Sequence, residues 1–300
     1  MLTAELPTID SGGLDAVREN LAPFGEYVDA VNVTDNAGAH AHASSLAVAI
    51  ALTRLGAEPI MQMVCRDRNR LGLEADIAGA ALHGVENLLC LRGDNPEAGD
   101  EPDAAGVFEL GALELIAAAR GMAEGRYLSG RKLEPAPQLF VGAVETPGEG
   151  RVERALQKVE TGARFMQLQF CFEPETLESF VADAVERGLA SSCALLPSIF
   201  LAASPKSLRY MDEHVPGVSI PRETIERCEN AADPAEACFQ LALELARHAL
   251  AVPGVAGLHL ISFRREAGIA RLCRELGIPT REEREASGYR NPRKRAAVPA

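Results

Sequence analysis

Polar residues stand at the ends of short apolar runs along this chain: Glu5, Asn32, Thr34, Gln62, Arg66, Asp67, Arg92, Asp94, Gln167 and Gln169. Glu5 closes one such run and is followed by Leu6 and Pro7. A carboxyl group among apolar neighbours can titrate high enough to work as a general acid; an exposed acid at a strand end accounts for it equally well. Arg92-Gly93-Asp94 flanks a glycine, which lets a ligand approach the backbone, with opposite charges. As a bare tripeptide it is a common turn. Cys65-Arg66-Asp67-Arg68-Asn69 carries more charge than a turn requires, and an ion-paired helix start explains it. Gln167 and Gln169 alternate with Met166, Leu168 and Phe170, which puts both amides on one strand face. Buried amides need partners, either a polar ligand or a satisfied internal network. His40 and His42 have no carboxylate or cysteine at ligand spacing, and the seven cysteines include no Cys-x-x-Cys pair, so no metal site is expected. No G-x-S-x-G elbow and no Walker A loop occurs.

The elements that must position these residues alternate regularly. Strand-like runs cover Leu2–Glu5, Val28–Thr34, Pro59–Val64, Asn87–Leu91, Gln138–Val144, Phe165–Phe170, Ala194–Phe200 and Gly257–Ser262. Helical periodicity fills the intervals, as at Leu71, Ala75, Ala78 and Leu82, spaced three or four apart. The strands are continuous apolar runs, the pattern of parallel strands covered on both faces. Eight strand–helix units without a G-x-G-x-x-G loop predict an α/β fold, a single (β/α)8 TIM barrel over residues 1–279, rather than an open sheet. In a barrel the polar strand ends gather at one face and form the site. Gly93–Gly106 and Val215–Pro234 are long excursions at that face. From Thr280 the chain becomes charged and aperiodic, which predicts a short C-terminal tail over 280–300.

Composition narrows the function. A net charge of −13 opposes a general nucleic-acid binder. The dense basic cluster Arg290, Arg293, Lys294 and Arg295 lies in the tail and reads as a solvated terminus. No apolar run is long enough for a membrane span, and no signal-peptide pattern follows Met1, so a cytoplasmic protein is expected. A homo-oligomer is left open.

The same residues resemble the methylenetetrahydrofolate reductase family from about Ala4 to Gly277. The likeness is carried by Val31-Asn32-Val33-Thr34-Asp35, Cys65-Arg66-Asp67-Arg68-Asn69-Arg70, Gly84-Val85-Glu86-Asn87 and Leu91-Arg92-Gly93-Asp94-Asn95-Pro96, in order. Lys158-Val159-Glu160-Thr161-Gly162-Ala163-Arg164-Phe165, Gln169 and Pro216-Gly217-Val218-Ser219-Ile220-Pro221 follow. The resemblance implies reduction of 5,10-methylenetetrahydrofolate to 5-methyltetrahydrofolate, with a flavin passing a hydride from NADH or NADPH. It implies Glu5 as the general acid, Asp94 as the anion stabilising a cationic folate intermediate, and Gln169 as a pterin ligand; Gln167, on the same strand face, is the second candidate for substrate binding. Thr34, Gln62, Arg92, Gly93 and Ala143 correspond to the flavin site, and the neighbouring strand-end residues Asn32, Arg66 and Asp67 are assigned to it with them. Three departures leave the cofactor open between FAD, FMN and no tightly bound flavin. Gly142-Ala143-Val144-Glu145-Thr146-Pro147 lacks the Tyr-Pro-Glu-Gly-His-Pro pattern of many bacterial members, Val64 and Leu168 replace common threonines, and Pro205 stands where some members carry a phenylalanine. One rival is a non-catalytic or flavin-independent pterin-binding barrel. Another, a lyase or isomerase of a phosphorylated metabolite, would need a glycine-rich phosphate loop late in the barrel, where Ser262-Phe263-Arg264-Arg265 stands instead.

Overall fold

The structure, a computed structural model, describes residues 1–287 apart from 216 and 264. Pro216, Arg264, Arg290, Arg293, Lys294 and Arg295 therefore lie outside the described residues. Eight parallel strands close a barrel in chain order, the last hydrogen-bonded to the first. They are β1 (Leu2–Glu5), β2 (Ala30–Val33), β3 (Pro59–Val64), β4 (Asn87–Leu91), β5 (Phe140–Glu145), β6 (Phe165–Leu168), β7 (Ala194–Leu201) and β8 (Leu258–Ser262). The helices between them are α1 (Gly13–Leu21), α2 (Ser45–Arg54), α3 (Arg70–Leu82), α4 (Ala112–Ala123), α5 (Arg151–Thr161), α6 (Pro174–Glu186), α7 (Leu189–Ser192), α8 (Pro205–His214), α9 (Arg222–Glu229) and α10 (Pro234–Ala251). After β8 come α11 (Ala267–Glu275) and α12 (Arg281–Ala286).

The strands are apolar on both faces because each face is covered. Met61, Met63, Leu88 and Cys90 pack outward into the shell shared with the helices, while Ile60 and Leu89 meet Ala30, Phe165 and Leu196 inside the barrel. This inner cluster closes the floor. Phe165 stacks on Phe140 with centroids 5.4 Å apart, and its ring occupies the space beside Gly142, where a methyl group would lie 2.1 Å away. Glycine is required there for packing.

The structure revises several boundaries. The second strand begins at Ala30 rather than Val28, and the sixth ends at Leu168, leaving Gln169 just beyond its tip. Part of the excursion expected over 215–234 is helical: α9 buries Ile225 and Cys228 against Phe170, Phe200, Leu208 and Met211. The segment read as a tail from Thr280 begins as a helix, α12, because Arg284 has buried partners. Its guanidinium pairs with Asp29 at 2.9 Å and donates to the Tyr27 carbonyl at 3.1 Å. Six of the seven cysteines are buried and Cys171 is half-buried; all are unpaired. Burial pushes the thiols up, Cys65 to about 11 and Cys193 to about 12, which keeps them protonated.

Candidate active site

Above the apolar floor, inward positions turn polar and form three tiers. The lowest is a closed network. Asn32 and Gln167 exchange amide hydrogen bonds of 2.8 and 2.9 Å across the barrel, and Gln167 Nε2 also donates to Thr3 Oγ1 at 3.5 Å. Thr3 shares a 2.9 Å hydrogen bond with His259 Nδ1. These side chains are buried. Desolvation pulls the His259 pKa down to about 3, so the ring is neutral.

The middle tier is the acid. Glu5, at the end of β1, accepts a 3.3 Å hydrogen bond from Gln62 Nε2. Burial pushes its pKa up to about 7 against the opposing effect of that bond, so close to half of it is protonated at neutral pH. Glu5, Gln62, Gln167, Gln169, Ser198 and His259 line a cavity of about 350 Å³ at the carboxyl ends of the strands. The cavity is near the small end of ligand pockets and large enough for one ring system with its polar edge. A half-protonated carboxyl beside amide donors and acceptors can give a proton to a bound nitrogen.

The upper tier is loop. Asp35 accepts from the Val64 amide at 2.8 Å, is paired with Arg68 and accepts from Ser45 Oγ at 3.3 Å. Arg68 also pairs with Asp76 at 2.8 Å. Arg66 is buried and grips Asp67 through two bonds of 2.6 and 2.9 Å. It donates besides to the Asn36 carbonyl at 3.0 Å and the Asp94 carbonyl at 3.4 Å, tying together the loops that follow β2, β3 and β4.

The sequence-predicted residues thus divide. Glu5, Gln62, Gln167 and Gln169 come together at the cavity, although Gln167 is largely satisfied by Asn32. Asp94, expected to face the mouth, is exposed and lies outside the lining. Gly93 adopts φ +87° and packs against Val64 and Arg66, and the turn it makes leaves Asp94 on the surface. Arg92 lies over the Phe108 ring, 4.3 Å from its centroid. Ala143 is buried in the outer shell and the adjacent Val144 lines the cavity, since alternation turns Ala143 away from it. The Thr34 hydroxyl shares a 3.2 Å bond with His42 Nε2. Missed from the sequence were Thr3, Ser198 and His259, and the Glu145, Arg151, Arg154 and Lys158 group on the cavity's β5–α5 side. Strand alternation extended to β8 would have turned His259 inward with Ile261. Among the described residues no group of three or more His, Cys, Asp or Glu could hold a metal ion, and no helix is long and apolar enough to cross a membrane.

Proteins of similar sequence point to one family, and solved structures of similar fold match the barrel. The profile of the family described as methylenetetrahydrofolate reductase matches residues 18–277. A probable methylenetetrahydrofolate reductase (NADPH) of Caenorhabditis elegans is 25% identical over 78% of this chain and 34% of its own length. A probable methylenetetrahydrofolate reductase (NADH) of Oryza sativa subsp. japonica is 26% identical over 74% of this chain and 38% of its own length. The chain therefore spans about a third of the length of these curated relatives. Among solved structures, an uncharacterised protein from Clostridium thermocellum that binds two copies of 5-methyl-5,6,7,8-tetrahydrofolic acid superposes with TM-score 0.64 at 14% identity, covering 92% of this chain and 94% of that one. DmoA from Hyphomicrobium sulfonivorans superposes with TM-score 0.55 at 10% identity, over 96% and 92% of the two chains. These structures share the fold, and the profile match over most of the barrel settles the relationship: the chain belongs to the methylenetetrahydrofolate reductase family.

Proposed function

We propose that this protein reduces 5,10-methylenetetrahydrofolate to 5-methyltetrahydrofolate at the mouth of the barrel, with Glu5 as the acid. The observation that carries the reading is a carboxyl group held at a pKa of about 7 in a cavity lined by amides. Family membership supplies the substrate class, and the folate bound by the Clostridium thermocellum neighbour is in keeping with it. Glu5 donates its proton to the ring nitrogen that leaves the bridging carbon, whose C–N bond supplies the electron pair. A hydride from NADH or NADPH forms the new C–H bond and leaves the oxidised nicotinamide. Gln169 turns its side-chain amide to the cavity that would hold the pterin edge, and the neutral Thr3–His259 network below keeps the floor of the site fixed.

The family resemblance implies FAD as the hydride carrier, a group that accepts two electrons from nicotinamide and passes them on. The residues that would hold it do not fit a flavin in the arrangement seen. Of Thr34, Asn32, Gln62, Arg66, Asp67, Arg92, Gly93 and Ala143, only Gln62 lines the cavity. Thr34, Asn32, Arg66 and Arg92 are engaged by protein groups, and Ala143 faces the helices. These internal contacts favour a second reading of the same reaction, in which nicotinamide gives its hydride directly to the folate. One experiment tests both. The purified chain is mixed with NADH or NADPH and methylenetetrahydrofolate, the product is identified by mass, and the absorption spectrum is recorded from 350 to 500 nm. Methyl product without flavin absorption supports direct transfer, and methyl product with bound flavin supports the carrier. No methyl product from either donor, with or without added FAD, removes the reductase assignment. Glu5→Gln should lower turnover by about 10²-fold or more while nicotinamide binding persists.

A further inference from the structure

One wall of the cavity carries more positive charge than the protein around it neutralises. Arg151, Arg154 and Lys158 recur three and four residues apart on α5, so they share one helix face, and all three line the cavity. Opposite them stands a single carboxylate, Glu145, whose side chain is 3% exposed. That carboxylate is already served. Lys158 Nζ donates to it at 2.8 Å and to the Val144 carbonyl, and the Thr146 amide donates to its other oxygen at 3.0 Å. Arg151 and Arg154 approach no closer than 4.0 and 3.8 Å, outside hydrogen-bond reach, and their side chains are 41% and 58% exposed. Neither guanidinium donates a hydrogen bond to another described residue. Glu5, the other acid of the cavity, is bonded to Gln62. Two guanidinium forks are thus left facing a cavity, in a chain of net charge −13 where cations are the minority.

A guanidinium presents paired N–H donors that match a carboxylate or phosphate, and two at one rim can hold a dianion. We infer that Arg151 and Arg154 form an anion subsite of this cavity, which takes the phosphate or carboxylate end of the ligand. Lys158 and Glu145 set its position: the lysine neutralises the buried acid, so the arginines stay available. The identity of the ligand rests on the proposed function. The chemistry has two sources there, the terminal carboxylates of the folate or the phosphates of the nicotinamide cofactor.

The test uses the full chain and the double variants Arg151→Gln/Arg154→Gln and Arg151→Lys/Arg154→Lys, with folding checked by circular dichroism. Both side chains are substantially exposed, so each single variant serves if the double fails to fold. Calorimetric titration uses pyrophosphate, tetrahydrofolate, a tetrahydropterin without carboxylates, and NADH. We expect the glutamine variant to bind pyrophosphate about tenfold or more weakly and the uncharged pterin unchanged, with the lysine variant between. A matching loss for tetrahydrofolate alone identifies the carboxylates as the occupant, and a loss for NADH alone identifies the phosphates. A wild-type chain that binds pyrophosphate, but neither tetrahydrofolate nor NADH, keeps the subsite and sinks the reductase reading. Wild-type protein that ignores every anionic probe, or affinities equal in all variants, overturns the subsite.

Discussion

Glu5 and His259 are two titratable groups within one barrel mouth that burial moves in opposite directions. Both are driven toward neutrality, Glu5 up to about 7 and His259 down to about 3. In the proposed reaction the acid form of Glu5 is the reactive one, so the kcat/KM profile should fall with unit slope above about pH 7, and a profile flat to pH 9 would exclude it as the proton donor. Stability follows the same shift. Below pH 4.5 both folded and unfolded Glu5 are protonated and it costs nothing. Between 4.5 and 7 the unfolded carboxyl ionises first, so folding loses free energy, and above 7 the loss is constant. Glu5→Gln should therefore be more stable than the parent above pH 7, on the order of 3 kcal/mol, and close to it near pH 4. Urea melts at both pH values check this. His259 acts in the acid range, where its burial as a neutral ring costs stability progressively as pH falls from 6.5 toward 3. The place of Glu5 at the barrel mouth was legible in its position after Leu2-Thr3-Ala4 and before Leu6, although those neighbours alone fitted an exposed acid equally well. The mutual pairing of Asn32 and Gln167 was not, because the partners are 135 residues apart and only closure of the barrel brings them together.

At the scale of elements, β5 and β6 show how a strand's composition is set by its neighbour. Gly142 and Phe165 are register partners, and the missing side chain of one is the space for the ring of the other. Gly142→Ala should destabilise the fold by about 1–3 kcal/mol through overpacking, and Phe165→Leu in the same chain should recover part of it. Thermal melts of both variants measure this; a Gly142→Ala chain as stable as the parent would mean that the floor can yield. The eight strands were readable from the sequence because apolar runs bounded by glycine, proline and charge are what a covered parallel strand demands. Their ends were less so. Gln169 is beyond β6 because its amide oxygen accepts the Phe170 amide at 3.0 Å, a local bond that periodicity does not predict. Helix α9 escaped because its face is short, with Ile225 and Cys228 buried, and its stability comes from packing on α8 and α10.

Across the whole molecule, the amino end of the barrel is held by contacts among distant parts of the chain. Asp29 accepts the Leu2 amide at 2.8 Å and pairs with Arg284 at 2.9 Å, so β1, the start of β2 and α12 meet at one carboxylate. Arg284→Ala should lower stability by about 2 kcal/mol, a few degrees in thermal midpoint, without altering turnover. An activity loss matching the stability loss at 25 °C would show that this end communicates with the mouth. The charged character of the segment after Thr280 was visible in the sequence. Its docking was not, since one arginine with buried partners outweighs a composition that otherwise favours solvent.

Arg66 makes three loops one moving part. A loop that opens alone breaks only its own contacts, but the segments after β2, β3 and β4 hang from the same guanidinium. To swing any of them aside is to release all, so access to the mouth should behave as a single gate with one opening rate. Arg66→Lys keeps the charge and loses the fork, and should let the three loops fluctuate independently. In hydrogen exchange, the amides of residues 36–42, 66–69 and 94–100 should share one rate in the parent chain and lose it in the variant; separate rates already in the parent would show that the loops open independently.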